Sequence, residues 1–403
     1  MTTTASTATG SITTPRGFRA AGIAAGIKAT NGLDLALLVS ETPAQAAAVF
    51  TTNLAVAAPV VVSRDHLARS GGVARAIIVN SGCANACTGA EGLQAARDMA
   101  ADTAREIGCP VDQVLVASTG VIGVALPMDK VRRGLTEAVR TLGADQGPAA
   151  ARAIMTTDPF PKEAAIRFKM RGQDVAIGGI AKGSGMIEPM MATMLGFITT
   201  DAAIPHALLD RALRAAVDDT FNAITVDGDS STNDCVMILA NGASGVTIDE
   251  AMYADFLAEL TTVCRELAIG IVRGGEGATK LVTVVVTGAA STTDARRAAK
   301  AIANSLLVKT AIHGGDPNWG RLLAVAGRAG VAFDLERAAV TIGAIVLFKD
   351  GRPYDEAAPL AADYLKGTDL TVGVNLGAGT AQSTVWTCDL SAEYVRINAD
   401  YRT

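Results

Sequence analysis

Short β-branched runs alternating with helical patterns constrain this chain more than any other feature. RAIIVN, QVLVAS, MLGFIT, CVMILA, LVTVVVT and AVTIGAIVLF read as strands. Of the helical patterns between them the clearest is DEAMYADFLAELTTVCRELAIGIVRGG. Phe256, Leu260, Val263, Cys264 and Leu267 recur there at helical spacing, and Gly274 and Gly275 mark its end. The alternation predicts a layered α/β protein. Several strands run into Gly- or Asn-rich turns: VNSGCANACTGAEG after RAIIVN, STGVIG after QVLV, and DGDSSTND before CVMILA. Turns at strand ends let backbone N–H groups face a ligand, so chemistry is expected there. With 403 residues, 49% hydrophobic and 19% charged, the chain can bury a sizeable core as two domains or one composite one.

Charge and composition narrow the function. The net charge is -5 and the basic residues are scattered, which leaves no electrostatic footprint for nucleic acid. Few aromatic residues means few stacking platforms for single strands. Small-molecule chemistry is the expectation. Cys83, Cys87, Cys109, Cys235, Cys264 and Cys388 form no CxxC pair and suggest neither a disulfide scaffold nor a zinc site. They read as small buried hydrophobes in a reducing compartment, the cytoplasm. The Thr-, Ser- and Ala-rich N-terminus has no acidic residue before Asp34 and no long apolar stretch, and it reads as a frayed start before GFRAAGIAAGIK. No run reaches the roughly 18 uninterrupted apolar residues of a membrane span.

The usual nucleophile schemes find little support. His66 lies in a polar, surface-like segment, His206 follows Pro205 at a helix start, and His313 opens HGGDPNWGR. No GxSxG elbow accompanies them. AKGSG and GEGATK both depart from the GxxxxGK[ST] order of a phosphate loop. A threonine at a chain N-terminus needs no histidine, because its own α-amine, with an ordinary pKa of about 7.7 to 8.0, can accept the hydroxyl proton. Thr193 in KGSGMIEPMMATMLGFITTDA would become such a residue if the chain were cut before it. Its hydroxyl would attack the preceding carbonyl, and water would then hydrolyse the ester. The small Ala192 limits crowding there. A buried threonine at a strand start is the competing reading of this feature alone.

That segment is similar to the autoprocessing segment of the ornithine acetyltransferases, the ArgJ-type enzymes of arginine biosynthesis also called glutamate N-acetyltransferases. PRGFRAAGIAAGIK, VNSGCANACTG, ASTGVIG, MTTDPFPK, DGDSSTND, GGEGATKL, DPNWGR and INADYRT extend the resemblance in order along the chain. Cys83 is a departure, since the family more often has Asn there. The resemblance implies an α/β/β/α sandwich with an additional smaller α/β domain. It also implies cleavage between Ala192 and Thr193 into fragments 1–192 and 193–403, with the smaller C-terminal domain in the second. Two copies of each fragment would associate as a heterotetramer.

The resemblance also assigns roles. Thr193 would be nucleophile and, through its freed amine, general base; Thr119 and Gly120 would form the oxyanion hole. Thr156, Lys182, Thr193, Glu276, Asn398 and Thr403 would contact substrate, with Thr157 a competitor for the place of Thr156. One cation and one anion suit a substrate bearing a carboxylate and an ammonium, with Lys182 on the carboxylate and Glu276 on the ammonium. N-acetylornithine would acetylate Thr193, and glutamate would then take the acetyl group, with no metal or organic cofactor required. Acetyl-CoA as a further donor, a self-cleaving aminopeptidase or amidohydrolase, and a non-catalytic metabolite-binding protein are the alternatives.

Overall fold

The computed structural model describes residues 10–188 and 194–400. Ala192, Thr193 and Thr403 lie outside the described residues. The chain divides into two compact units: one takes the chain up to Asn222 together with Asp229–Ile271, the other Ala223–Gly228 and the chain from Val272 onward.

The first unit contains strands β1 (Phe18–Ile23), β2 (Leu35–Phe50), β3 (Val73–Cys83), β4 (Val114–Val121), β5 (Lys162–Met170), β6 (Gln173–Lys182), β7 (Leu195–Thr200) and β8 (Cys235–Ala240). Its helices are α1 (Ala58–Arg69), α2 (Gly89–Ile107), α3 (Met128–Arg140), α4 (Gly147–Ala153), α5 (His206–Asp218) and α6 (Tyr253–Arg273). The strands form one sheet in the order β4-β3-β2-β8-β7-β6-β5, with β1 also on β2. β2 makes this sheet fold over. Leu35–Val39 pair with β1 and β3, the register breaks between Val39 and Ala44, and Gln45–Phe50 pair with β8. Pro43 sits in the break, where it withholds no ladder hydrogen bond.

The two halves of the sheet then face each other. Phe18, Leu38, Ile77 and Leu115 from β1–β4 share one buried cluster with Ile180, Phe197, Met237 and Leu239 from β6–β8. On the opposite face of β1–β4, Leu35, Leu37, Ile78 and Val116 pack with Val62, Met99, Val131 and Leu135 of α1–α3. Across β6, α6 lies so close that a Cβ at Gly179 would stand 2.8 Å from Leu267 Cδ1. This is an α/β/β/α sandwich.

The second unit holds β9 (Leu281–Ala289), β10 (Ala339–Ile342), β11 (Ile345–Lys349), β12 (Arg352–Pro353), β13 (Asp369–Asn375) and β14 (Ala381–Cys388) in the order β12-β11-β10-β13-β9-β14. Its helices are α7 (Thr292–Ala303), α8 (Leu306–Gly314), α9 (Trp319–Gly327), α10 (Ala358–Tyr364) and α11 (Ala392–Asp400). Val282, Val284 and Val286 point to one face of β9 and join a core with Ala298 and Ile302 of α7, Ile312 of α8 and Leu322 of α9.

Three readings of the sequence change. AVTIGAIVLF is a hairpin, β10 and β11, because Gly343 turns the chain at φ +59°. His66 is on the buried face of α1, its Nδ1 within hydrogen-bonding distance (2.8 Å) of the Val114 carbonyl. Among the cysteines Cys87 is exposed, whereas Cys83, Cys235, Cys264 and Cys388 are buried.

Candidate active site

The parallel pairing of β3 and β4 sets Ser81 opposite Thr119 and Gly82 opposite Gly120. A Cβ at Gly120, where φ is +127°, would stand 2.4 Å from the Gly82 carbonyl carbon, so only glycine permits this approach. Two amides lock the strand ends. Asn80 accepts from the Ser118 hydroxyl (2.6 Å) and donates to the Cys83 carbonyl (2.8 Å). Asn233 donates to the carbonyls of Ala84 (2.6 Å) and Ser118 (3.0 Å). Donors that need no reorganisation are what an oxyanion hole requires.

Lys182 closes β6, and its ammonium donates to the Thr119 hydroxyl oxygen across 3.3 Å. The antiparallel register places Lys182 opposite Leu195, the first residue of β7. MTTDPFPK adds Asp158 beside it. This buried carboxylate accepts from the backbone N–H of Thr156 (2.9 Å) and of Gly183 (2.8 Å), and it forms a buried ion pair with Lys162. Burial works to raise the Asp158 pKa, but the ammonium groups of Lys182 and Lys162 outweigh it and hold the value at about 2.

Lys28 belongs to the same cluster. Its backbone N–H donates to Asp34 (2.9 Å), its ammonium to the Leu33 carbonyl (2.8 Å), and its stem lies against Gly82. Burial lowers the Lys28 pKa, opposed by the charges of Asp34 and Asp158. Among the described residues the ammonium groups of Lys28, Lys162 and Lys182 all act on or feel Asp158, and Lys28 also feels Asp34. Ammonium groups gathered in this way suit a carboxylate or an oxyanion.

In the second unit, Glu276 is buried and accepts from the Asn398 side-chain amide of α11 across 2.8 Å. The loop that carries Glu276 is pinned on both sides. Ser391 donates to the Gly277 carbonyl (2.6 Å), and Asp389 accepts from the backbone of Thr279 (2.8 Å) and Lys280 (2.9 Å). Burial works to raise the Asp389 pKa, but hydrogen bonds from Thr279 and His313 keep it below the usual carboxylate range. His313 is thus a partner of Asp389, at 2.7 Å. Among the described residues no group of three or more His, Cys, Asp or Glu is arranged to hold a metal ion, and no helix is long and apolar enough to cross a membrane.

Thr119, Gly120, Lys182 and, through Asp158, the backbone of Thr156 come together in the first unit; Glu276 and Asn398 meet in the second. Thr157 is as half-buried as Thr156. Asp158, Lys162, Asn80, Asn233 and Lys28 were not singled out from the sequence, although MTTDPFPK does space Asp158 and Lys162 four apart.

The ArgJ family model matches residues 19–403. This chain belongs to the ArgJ family. It is 51% identical to the arginine biosynthesis bifunctional protein ArgJ of Synechococcus sp., over 98% of either chain. Identity to the ArgJ protein of the same name from Symbiobacterium thermophilum is 50%, over 98% of this chain and 99% of that one. The crystal structure of the ArgJ protein from Bacillus halodurans superposes with a TM-score of 0.50 at 46% identity, covering 52% of this chain and 100% of that one.

Proposed function

We infer that this member of the ArgJ family moves the acetyl group of N-acetylornithine to glutamate through an acetyl ester on Thr193, giving ornithine and N-acetylglutamate. Self-cleavage comes first. The Thr193 hydroxyl attacks the Ala192 carbonyl, the peptide bond becomes an ester, and water releases fragments 1–192 and 193–403. The freed α-amine then takes the hydroxyl proton as Thr193 attacks the acetyl carbonyl. Thr119 and Gly120 donate to the tetrahedral oxyanion, Lys182 and Thr156 hold the substrate carboxylate end, and Glu276 with Asn398 receives the ornithine ammonium. Glutamate enters after ornithine leaves and attacks the ester. Thr403 contributes to substrate binding, and two copies of each fragment assemble in the cytoplasm.

One observation carries the reading. The register that sets Lys182 opposite Leu195 brings the start of β7, two residues beyond Thr193, to the strand whose last ammonium meets Thr119. The same ladder would keep the fragments joined after cleavage, since β6 and β7 fall on opposite sides of the cut. Coverage adds support. The solved Bacillus halodurans chain is spanned completely by 52% of this one, the share that 211 of 403 residues make up.

The test is direct. Parent protein should mature into two fragments, the second beginning TMLGF, while Thr193→Ala stays full length. With radiolabelled N-acetylornithine and no glutamate, label should accumulate on Thr193, and adding glutamate should discharge it as N-acetylglutamate. A different new N-terminus, or label found only as free acetate, defeats the reading. The word bifunctional in the relatives' names favours acetyl-CoA as a second donor. Glutamate-dependent release of free CoA by the matured enzyme would establish it.

A further inference from the structure

We propose that the buried Asp158–Lys162 ion pair is a positioning element that clamps Gly183 and thereby aligns the Ala192–Thr193 bond for self-cleavage. The proposal rests on the cleavage reading above and names residues to which that reading gives no part in cleavage.

Both arms of the pair grip one residue. The Gly183 N–H donates to Asp158 Oδ1 at 2.8 Å, and Lys162 Nζ donates to the Gly183 carbonyl at 3.0 Å. Gly183 follows directly on Lys182, the last residue of β6, and so forms the base of the segment that leads to the scissile bond. The other base is held too, because the Cys235 N–H donates to the Met194 carbonyl at 3.1 Å. Lys182 and Leu195 are paired across β6 and β7, so both anchors lie at one end of this ladder.

The surroundings are fitted to the clamp. A Cβ at Gly270 of α6 would stand 3.1 Å from Lys162 Cγ, so the lysine stem lies on a bare stretch of helix. At Gly183, where φ is +159°, a Cβ would come within 3.1 Å of Ile187 and Ile271. The side chains of Asp158 and Lys162 are 0% and 1% exposed. A pair so deeply buried is weak as a stabilising device, because desolvation offsets much of its attraction, and apolar residues of similar volume often serve the fold as well. Here each charge also holds one of the two backbone groups of a single residue, Gly183. Sub-ångström placement of an attacking hydroxyl governs the rate of an intramolecular acyl shift, so loosening this base slows the cut without undoing the fold.

Two double variants separate positioning from mere burial of charge. D158N/K162M removes one buried charge of each sign, which leaves the net charge around Lys182 unchanged, and removes the donor to the Gly183 carbonyl, whereas D158N/K162Q keeps an amide donor and acceptor in place. Full-length chains are made by cell-free translation, pulse-labelled, and chased while precursor and fragments are resolved on a gel; circular dichroism melts report folding. The expected result is that both doubles fold, that D158N/K162M loses precursor at least tenfold more slowly than the parent, and that D158N/K162Q recovers most of the rate. A folded D158N/K162M that cleaves less than tenfold more slowly overturns the clamp. If that variant does not fold, D158N alone, which weakens both arms, is scored instead; slowing of threefold or more supports the proposal and less overturns it. A parent chain that is never cut at Ala192–Thr193 would bring down the proposed function itself, whereas equal cutting by parent and variant removes only the clamp.

Discussion

Lys182 rests its ammonium on the hydroxyl oxygen of Thr119, 3.3 Å away. A hydroxyl that accepts on one side has its own hydrogen free to donate elsewhere. The contact therefore turns Thr119 into an oriented donor and places a positive charge immediately behind it. Both effects favour an oxyanion over a neutral carbonyl.

As the proposed oxyanion donor, Thr119 would act on charge that develops only at the tetrahedral stage, so Thr119→Ala should lower kcat by about 10² to 10³ while KM changes little. Fully processed enzyme under saturating N-acetylornithine and glutamate is the material for the assay. A kcat within about threefold of the parent would reduce Thr119 to a turn residue.

Gly120→Ala meets a harder limit. Its Cβ would fall 2.4 Å from backbone carbon of Gly82, at a φ that side chains rarely adopt. The pairing of β3 and β4 must open locally, so the variant should lose stability by several kcal/mol and most of its activity. Unchanged melting and turnover would show that the strand ends shift freely.

Glu276→Gln should impair use of N-acetylornithine more than acceptance by glutamate, because only ornithine carries a side-chain ammonium. A charge-assisted contact contributes roughly 1.5 to 3 kcal/mol, or about tenfold to just over a hundredfold in kcat/KM. The Asn398 amide can still donate to the remaining carbonyl oxygen, so the loop should keep its place. Half-reactions measured separately decide the point: equal losses for donor and acceptor take Glu276 out of this role.

Acid should reveal Asp158. Its folded pKa of about 2 lies below the value of about 3.9 for an unfolded aspartate, so the stabilisation is fully present above pH ~4 and is lost as pH falls towards 2. The amount is on the order of 2 kcal/mol. Urea unfolding of parent and D158N between pH 4 and pH 2 should show a shallower loss in the variant. Parallel curves would mean that Asp158 does not titrate with a depressed pKa.

The sequence by itself determined the strands with strong β-branched patterning, the long helix from Tyr253 to Arg273, the family and, through MATML, the candidate nucleophile. These are local or contiguous signals: periodicity tells which face of an element is apolar, and a contiguous motif carries its own context. It did not determine which element covers that face. The Ala-rich β2 carries little strand propensity, and its exchange of partners around Pro43 emerges only from pairing with β1, β3 and β8. His66 reads as a surface residue until α1 lays it against the carbonyl of Val114. Asp158 and Lys162, four residues apart, are indistinguishable in sequence from an exposed pair. Tertiary structure buries both, lays the Lys162 stem on Gly270 and brings each charge to a backbone group of Gly183, because only long-range packing fixes the dielectric around a charge and the backbone groups left for it to bind.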